Sequence, residues 1–217
     1  MNMLQPVDRE QTQDRILQAA VEIFAMEGFR DATVREICTK AGVNVASVNY
    51  YFRSKEALYS EALAFAFRQA DRRYPMTEAV DADVSPEKCL KHFIEIFLHK
   101  LLDETCLGHH GKLIAREIAD PTKALDGIIR TAIAPQFKVL RDLMPQLLGP
   151  GWSELDMQRC VLSVLGQCLM YKHSRSVIDR ICPGVIADAD EIERSAELIV
   201  QFSVAAFRGL ATDLRGL

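Results

Sequence analysis

Signals that start and stop helices recur along the whole chain, and no segment shows the alternation of apolar and polar residues that is typical of a strand. Capping residues precede apolar stripes with helical spacing, and glycine or proline follows those stripes. A first helix is predicted over residues 8–27, with Gly28 placed for a left-handed C-terminal cap. The pattern predicts an all-α protein of about nine to ten helices.

The stretch from Tyr74 to Asp83 interrupts this helical pattern. It contains Pro75 and several acidic residues, and Ser85-Pro86 then restarts a helix with proline at its first position. We therefore predict an N-terminal domain at 8–56, a connecting helix and linker at 57–83, and a larger domain at 84–217. Within the larger domain, Pro135 predicts a kink or break in the helical pattern of residues 122–148.

The segment from Thr33 to Phe52 predicts two short helices joined by a tight turn. Thr33 and Glu36 fit a capping box at the start of the first helix, Gly42 provides the turn, and Asn44 can cap the second helix. Apolar residues spaced to pack the two helices together are Val34, Ile37, Ala41, Val43, Val48 and Phe52. This geometry is typical of a helix-turn-helix.

The second short helix leaves a face of small and polar residues exposed. Small side chains let a helix approach base edges, an asparagine can bond a purine edge twice, and hydroxyls and N-terminal amides suit phosphate oxygens. The candidate DNA-contacting residues are Thr33, Asn44, Val45, Ala46, Ser47, Asn49, Tyr50, Tyr51 and Lys55. Phe52 is assigned to the core, whereas Tyr51 lies at the boundary and fits either the core or a phosphate contact.

The charge of the chain permits DNA binding without requiring it. The formal net charge is −4, which gives no overall attraction to a polyanion. Residues 30–55, however, contain five basic side chains against two acidic ones. A DNA-binding face would therefore be local and small, with helix N-termini assisting the basic side chains.

The ordered set of motifs resembles the N-terminal domain of the TetR/AcrR family of transcriptional regulators. It comprises Gly28-Phe29, the pattern T-V-x-x-I-x-x-x-A-G-V ending at Val43, the aromatic triplet ending at Phe52, and S-K-E-x-L ending at Leu58. The resemblance implies a DNA-binding regulator, most often a repressor released from its operator by a small molecule.

Two positions of the second short helix depart from the commonest family pattern. Val45 stands where many relatives have lysine or arginine, and Asn49 stands where many have tyrosine. The segment from Val43 to Tyr50 instead resembles the YbiH-like subgroup, as does the segment from Ala115 to Thr122. The departures leave the operator sequence open.

The resemblance implies a homodimer that pairs through the last two helices and binds a palindromic double-stranded DNA operator. Small residues that would allow close approach of the paired helices are Ser203, Ala205, Ala206 and Gly209. The middle helices would enclose a cavity for an unknown small-molecule effector, and the candidate residues are Phe93, Phe97, Arg116, Glu117, Gln167 and Tyr171. Alternatively, the two phenylalanines are ordinary core residues, and Arg116 and Glu117 pair with other helices.

Cysteines and histidines provide two alternatives to this interpretation. The six cysteines, at positions 38, 89, 106, 160, 168 and 182, form no C-x-x-C pair and are predicted to be buried reduced thiols, with redox sensing as the alternative. His99, Cys106, His109 and His110 are the cluster with metal-ligand chemistry. We predict that His109 and His110 lie in a solvated loop between glycines and bind no metal.

No feature of the sequence points to an enzyme or a membrane protein. No nucleophile–base set or cofactor motif is visible, so we predict no catalytic residues and no cofactor. A protein-interaction module would not need the exposed asparagine, serine and tyrosine face. No apolar run approaches the ~20 residues that span a bilayer, and the polar N-terminus lacks a signal-peptide core, which predicts a cytoplasmic protein.

Overall fold

The computed structural model describes residues 6–76, 84–103 and 108–213, and regular structure in those ranges is entirely helical. The helices are α1 Pro6–Asp31, α2 Val34–Ala41, α3 Val45–Phe52, α4 Lys55–Arg73, α5 Pro86–Leu102, α6 Gly108–Ala119, α7 Leu125–Ile128, α8 Ala134–Leu148, α9 Glu154–His173, α10 Arg175–Ile181 and α11 Ala189–Asp213. A π-helical segment, Ile129–Ile133, joins α7 to α8. With α7, this segment and α8 counted as one stretch, the described residues form ten helices, which confirms the all-α prediction.

The helices form two compact units. The first unit contains α1–α4 together with α6 and α7, and the second contains α5 and α8–α11. Helix α6 thus belongs with the N-terminal helices, although it lies inside the segment 84–217 that was predicted as one domain. The domain boundaries from the sequence stay a prediction, and the linker residues 77–83 lie outside the described residues.

Helix α1 is the centre of the first unit. Its apolar face is fully buried at Ile16, Ala20 and Phe24, and it contacts both α2 and α6. Gly28 has the positive φ that was expected, but its ψ of 171° is extended, so it kinks the helix instead of capping it. One more helical turn follows and ends at Asp31, and this turn brings the Phe29 ring to 4.9 Å from the ring of Tyr59.

The second unit is built on one apolar core that α5, α8, α9 and α11 share. Leu90, Ile94 and Leu98 on α5 are fully buried in it. Near Pro135 the helix continues without a break, but its hydrogen bonding changes, since the π-helical segment ends at Ile133 and Pro135 lies in the first turn of α8. Proline lacks the backbone N–H that a helix interior requires, so the hydrogen-bond register changes at this point.

The cysteine prediction holds at four described positions. Cys38, Cys89, Cys160 and Cys168 are buried, and burial raises the pKa of Cys168 to about 12. With that pKa the Cys168 thiol carries almost no thiolate at neutral pH and is a poor nucleophile. The prediction is wrong at Cys182, which is exposed because it follows the end of α10, while Cys106 lies outside the described residues.

The prediction of a solvated loop at His109 and His110 is wrong. Both histidines lie in the first turn of α6, and His110 is buried with its ring 6.2 Å from that of Phe65. The helical register turns His110 inward, a direction that the flanking glycines did not reveal. Among the described residues, no group of three or more potential metal ligands comes together. No helix in the described ranges is long and apolar enough to cross a membrane.

Burial of His110 predicts acid sensitivity of the first unit. Burial lowers the pKa of His110, nearby His109 lowers it further, and Glu22 opposes the shift. Because the folded-state pKa lies below the ordinary value of about 6.5, the unfolded chain binds more protons as the pH falls through that value. The free energy of unfolding is therefore expected to decrease below about pH 6.5.

The H110L variant tests this expectation in urea denaturation at pH 7.5 and 5.5. Leucine cannot titrate, so H110L should lose less stability on acidification than the wild type. H92Q, which replaces an exposed histidine on α5, should lose as much as the wild type. Equal acid losses in H110L and the wild type would contradict the assignment.

Candidate nucleic-acid interface

Helix α2 begins and ends with the caps that the sequence predicted. The Thr33 hydroxyl accepts a hydrogen bond from the Glu36 amide at 3.2 Å, and the Glu36 carboxylate accepts from the Thr33 amide at 2.9 Å. At the other end Gly42 takes the left-handed conformation, with φ 65° and ψ 40°. These caps satisfy backbone groups that a helix of eight residues otherwise leaves unpaired.

Helix α3 begins after three residues, Gly42 to Asn44, and is capped by Asn44. The Asn44 side-chain oxygen accepts from the amide of Ser47 at 2.8 Å and from its hydroxyl at 3.0 Å. The cap therefore occupies that oxygen and the Ser47 hydroxyl, although both residues were predicted to contact DNA. Val48 and Phe52 are buried and fix the inner face of α3, as predicted.

The outer face of α3 presents Val45, Ala46, Asn49 and Tyr50, all of which are exposed. Tyr50 is 67% exposed, so most of this aromatic side chain is open to contact with a partner. Tyr51 is half-buried, and its ring meets that of Tyr50 edge-on at 5.2 Å. The structure thus brings four of the predicted contact residues together on one open surface.

The link from α3 to α4 is a tight turn at Arg53. Arg53 has φ 64° and ψ −40°, and the Ser54 amide bonds the Phe52 carbonyl at 2.7 Å, which makes a γ-turn. The Ser54 hydroxyl accepts from the Ala57 amide at 3.1 Å and caps α4 as predicted. Backbone strain of this kind is often found at functional sites.

Lys55 and Thr33 make structural contacts within the first unit. The Lys55 ammonium donates to the Arg30 carbonyl at 3.0 Å and lies 5.0 Å from the centre of the Phe29 ring. The Thr33 hydroxyl donates to the Glu36 carboxylate at 2.6 Å. Both polar groups therefore already have partners, and their contacts with DNA stay a prediction.

Two further side chains of α1 hold α2 and were not singled out in the sequence. Glu22 forms an ion pair with Lys40 at 2.7 Å, and the hydrogen bond from Lys40 lowers the pKa of the Glu22 carboxyl. Arg15 donates to the carbonyl of Ala41 at 3.0 Å. A pairing across some 20 residues has no local pattern, so no short motif could have indicated these contacts.

The predicted effector residues divide between the two units. Phe93, Phe97, Gln167 and Tyr171 belong to the second unit, and Arg116 and Glu117 belong to the first. Phe93 is buried in the core, as its alternative assignment stated, and Gln167 donates to the Ser203 hydroxyl at 3.2 Å.

Arg116 fastens α6 to the end of α1. Its guanidinium donates to the carbonyls of Ala25 and Met26, each at 3.2 Å. It also lies over Gly28, where an added Cβ would stand 2.9 Å from the Arg116 Nε atom. Arg116 therefore pairs with another helix, as the alternative to an effector contact predicted.

Glu117 fastens α6 to α4 through a buried hydrogen-bond network. It is 1% exposed, and its carboxylate accepts from the Tyr59 hydroxyl at 2.8 Å and from the Thr122 amide at 2.9 Å. Burial and this hydrogen bond raise the pKa of Tyr59 well above its ordinary value. A cavity of about 150 Å³ beside Tyr59 and Arg116 is smaller than the ~300 Å³ at which drug-sized ligand sites begin.

An all-helical fold with a capped helix-turn-helix and an open second helix defines a DNA-binding protein of the helix-turn-helix class. Residues 16–62 match the family model described as bacterial regulatory proteins, tetR family. Residues 86–207 match the model described as the C-terminal domain of the HTH-type transcriptional dual regulator CecR. The chain belongs to the TetR family of bacterial transcriptional regulators, with a C-terminal domain of the CecR type, and it is a DNA-binding regulator and not an enzyme.

Individual relatives agree with this assignment. The HTH-type transcriptional dual regulator CecR of Shigella flexneri is 27% identical over 185 residues, which cover 82% of each chain. The HTH-type transcriptional repressor KstR2 of Mycolicibacterium smegmatis is 39% identical over 159 residues, which cover 70% of this chain and 71% of that protein. A solved putative transcriptional regulator from Pseudomonas aeruginosa PAO1 shares the fold, with a TM-score of 0.70 at 22% identity over 94% of this chain and 95% of that one.

Proposed function

We propose that this protein is a cytoplasmic repressor that binds a palindromic operator as a homodimer and is released by a small-molecule effector. The observation that carries the proposal is the open face of α3, where Asn49 and the 67% exposed Tyr50 project from a helix capped at its N-terminus. The amide of asparagine can bond an adenine edge twice, and the exposed N-terminal turn suits a phosphate. As a finer placement within the family, we propose the YbiH-like subgroup, on the motifs of residues 43–50 and 115–122.

Dimerisation through α9 and α11 is supported by apolar side chains that the second unit leaves uncovered. The large exposed side chains on these two helices are Leu155, Leu162, Met170, Leu198, Phe202 and Leu210, each at least 45% exposed. On α11 they share a face with the exposed small residues Ala205, Ala206 and Gly209. An apolar face of this extent on two long helices is typical of a protein–protein contact.

One small residue that was assigned to this contact lies elsewhere. Ser203 is 3% exposed and accepts the hydrogen bond from Gln167, so it faces the core of its own unit. The assignment of Ser203 to the dimer contact was wrong, because α11 carries small or apolar residues on two faces. The proposed contact therefore uses the face of Leu198 and Phe202.

Release by an effector is proposed to act by population shift. In the proposed dimer the two copies of α3 are the reading helices, whose outer faces would contact the two half-sites. A ligand that binds best to a state in which these helices have the wrong spacing lowers operator affinity. The contacts of Arg116 with α1 and of Glu117 with Tyr59 make α6 part of the first unit, so a movement of α6 would act on the helices that carry the reading face. Phe97 and Tyr171, which are half-buried beside the core of the second unit, remain candidates for contact with the effector.

Selection from a random 30-base-pair duplex library by the wild-type protein tests the proposed function. We expect enrichment of a palindrome whose half-sites lie about 34–36 Å apart, or a multiple of one helical turn. Isolated single half-sites would contradict the dimer, and failure to enrich any sequence would contradict specific DNA reading. The enriched palindrome, called the selected duplex below, and a shuffled duplex of equal composition serve as probes for the variants.

A further inference from the structure

The turn of the helix-turn-helix is held by a side chain from outside the motif. Arg15, on α1, donates from one guanidinium nitrogen to the Ala41 carbonyl at 3.0 Å and to the Gly42 carbonyl at 3.4 Å. These two carbonyls mark the end of α2 and the start of the turn that leads into α3. The contact therefore joins the central helix of the unit to the turn before the reading helix.

Arg15 bonds carbonyls that the cap of α2 does not use. The Val43 amide bonds the Cys38 carbonyl at 3.0 Å, and the Gly42 amide bonds the Thr39 carbonyl at 3.3 Å. This pair of bonds is the Schellman arrangement, and it leaves the carbonyls of Ala41 and Gly42 pointing out of the helix end. A positively charged guanidinium at this end also interacts favourably with the negative pole of the helix dipole.

The direction of α3 depends on this turn. Only Val43 and Asn44 separate Gly42 from the first residue of α3, so a shift of the turn moves the N-terminal amides and the side chains of the reading face. Helices α1 and α2 are also joined by the ion pair of Lys40 with Glu22, which links two partly exposed side chains and is expected to be weak and salt-sensitive. Arg15 contacts the backbone itself and constrains the turn more directly.

We propose that Arg15 is a positioning residue for DNA reading, which fixes the orientation of α3 and does not itself bind DNA. The inference rests on the proposed function of α3 as the reading helix. A direct contact between the Arg15 guanidinium and a phosphate is the competing explanation for any loss of affinity, because Arg15 is exposed. Salt dependence separates the two explanations, since each lost phosphate contact lowers the salt slope by about 0.9.

The test compares R15A and R15K with R9A, which removes an exposed arginine from the same helix and gives the same charge change as R15A. Affinities for the selected and shuffled duplexes are measured from 50 to 300 mM salt, with helicity checked by circular dichroism. We expect R15A to lose about ten-fold in affinity for the selected duplex, the size of one lost base-pair match, and less than about two-fold for the shuffled one. Its salt slope should equal that of R9A, and R15K should recover part of the loss, because an ammonium can replace one hydrogen bond.

Three results would overturn the inference. The first is an R15A variant that loses affinity equally for both duplexes and has a salt slope lower by about 0.9, which indicates a phosphate contact. The second is an R15A variant whose affinities match those of R9A. The third is an R15K variant that binds no better than R15A. If R15A does not fold, the folded R15K variant carries the comparison with R9A. A wild-type protein that selects no duplex contradicts the proposed function and this inference together. If the wild type selects a duplex and the Arg15 variants bind it with unchanged affinity, only the inference is contradicted.

Discussion

The F202R variant is expected to be a monomer at micromolar concentration and to lose at least about 100-fold in affinity for the selected duplex. Phe202 is 66% exposed near the middle of α11, and Leu198 lies one turn before it on the same face. An arginine there would place a charge in the apolar centre of the proposed contact. Separation of the two reading helices removes the gain from binding two half-sites at once, which is about 10²–10⁴.

The matched control for F202R is M26R. Met26 is also 66% exposed, but it belongs to α1 of the first unit and not to α9 or α11. Sedimentation velocity gives the oligomeric state, and fluorescence anisotropy gives the affinity. M26R should remain a dimer, while an F202R protein that sediments as a dimer and binds the selected duplex normally would place the contact elsewhere.

The G28A variant is expected to lower the free energy of unfolding by about 2–4 kcal/mol. Gly28 has φ 86° and ψ 171°, a region that is open almost only to glycine. The new Cβ would also stand 2.9 Å from Nε and 3.0 Å from Cζ of Arg116. The side chain of Arg116 would have to move and would weaken its bonds to the two carbonyls of α1.

A double-mutant cycle with R116A separates these two causes. If backbone strain dominates, G28A lowers the free energy of unfolding by the same amount in the wild-type and R116A backgrounds. If G28A causes a smaller loss in the R116A background, the difference between the two losses measures the effect of displacing the guanidinium. Chemical denaturation provides the free energies, and G111A is the control, because Gly111 lies within α6 with no atom near its added Cβ. G111A should be neutral or stabilising by up to about 1 kcal/mol, and a G28A protein as stable as the wild type would contradict the account.

Local signals in the sequence predicted the helix-turn-helix in detail. The capping box of Thr33 and Glu36, the left-handed Gly42, and the caps at Asn44 and Ser54 each involve residues within four positions of one another. Their hydrogen bonds follow from chain geometry alone, so the residue types determine them. For the same reason the exposed face of α3 could be deduced from helix phase.

Contacts between distant elements could not be predicted in this way. Helix phase shows which face is apolar, but it does not show which element covers that face. Arg116 was therefore considered for an effector cavity, whereas it bonds α1 carbonyls some 90 residues earlier in the chain. His110 was predicted to lie in a loop because glycines flank it, whereas its ring partner, Phe65, lies some 45 residues earlier in the chain.

The prediction of effector-contacting residues was limited in the same way, because an apolar stripe does not show what covers it. Phe93 and Phe97 belong to the same apolar stripe of α5, yet Phe93 is buried in the core while Phe97 is half-buried at its edge. The apolar pattern is identical for a core residue and a cavity wall, because both avoid water. Ser203 and Phe202 are adjacent on α11 and face opposite environments, which only the packing of α11 against α5 and α9 decides.

The most direct test of the central claim, that α3 reads DNA, is the affinity of the N49A/Y50A double variant for the selected and the shuffled duplex. Both side chains are exposed, so the fold should remain intact, and Q146A, an exposed substitution on α8, is the control. If α3 reads DNA, the double variant should lose at least about 30-fold in affinity for the selected duplex, since each base contact contributes about 1–3 kcal/mol, and should bind the shuffled duplex nearly as before. A double variant that binds the selected duplex with unchanged affinity and unchanged preference would contradict this claim.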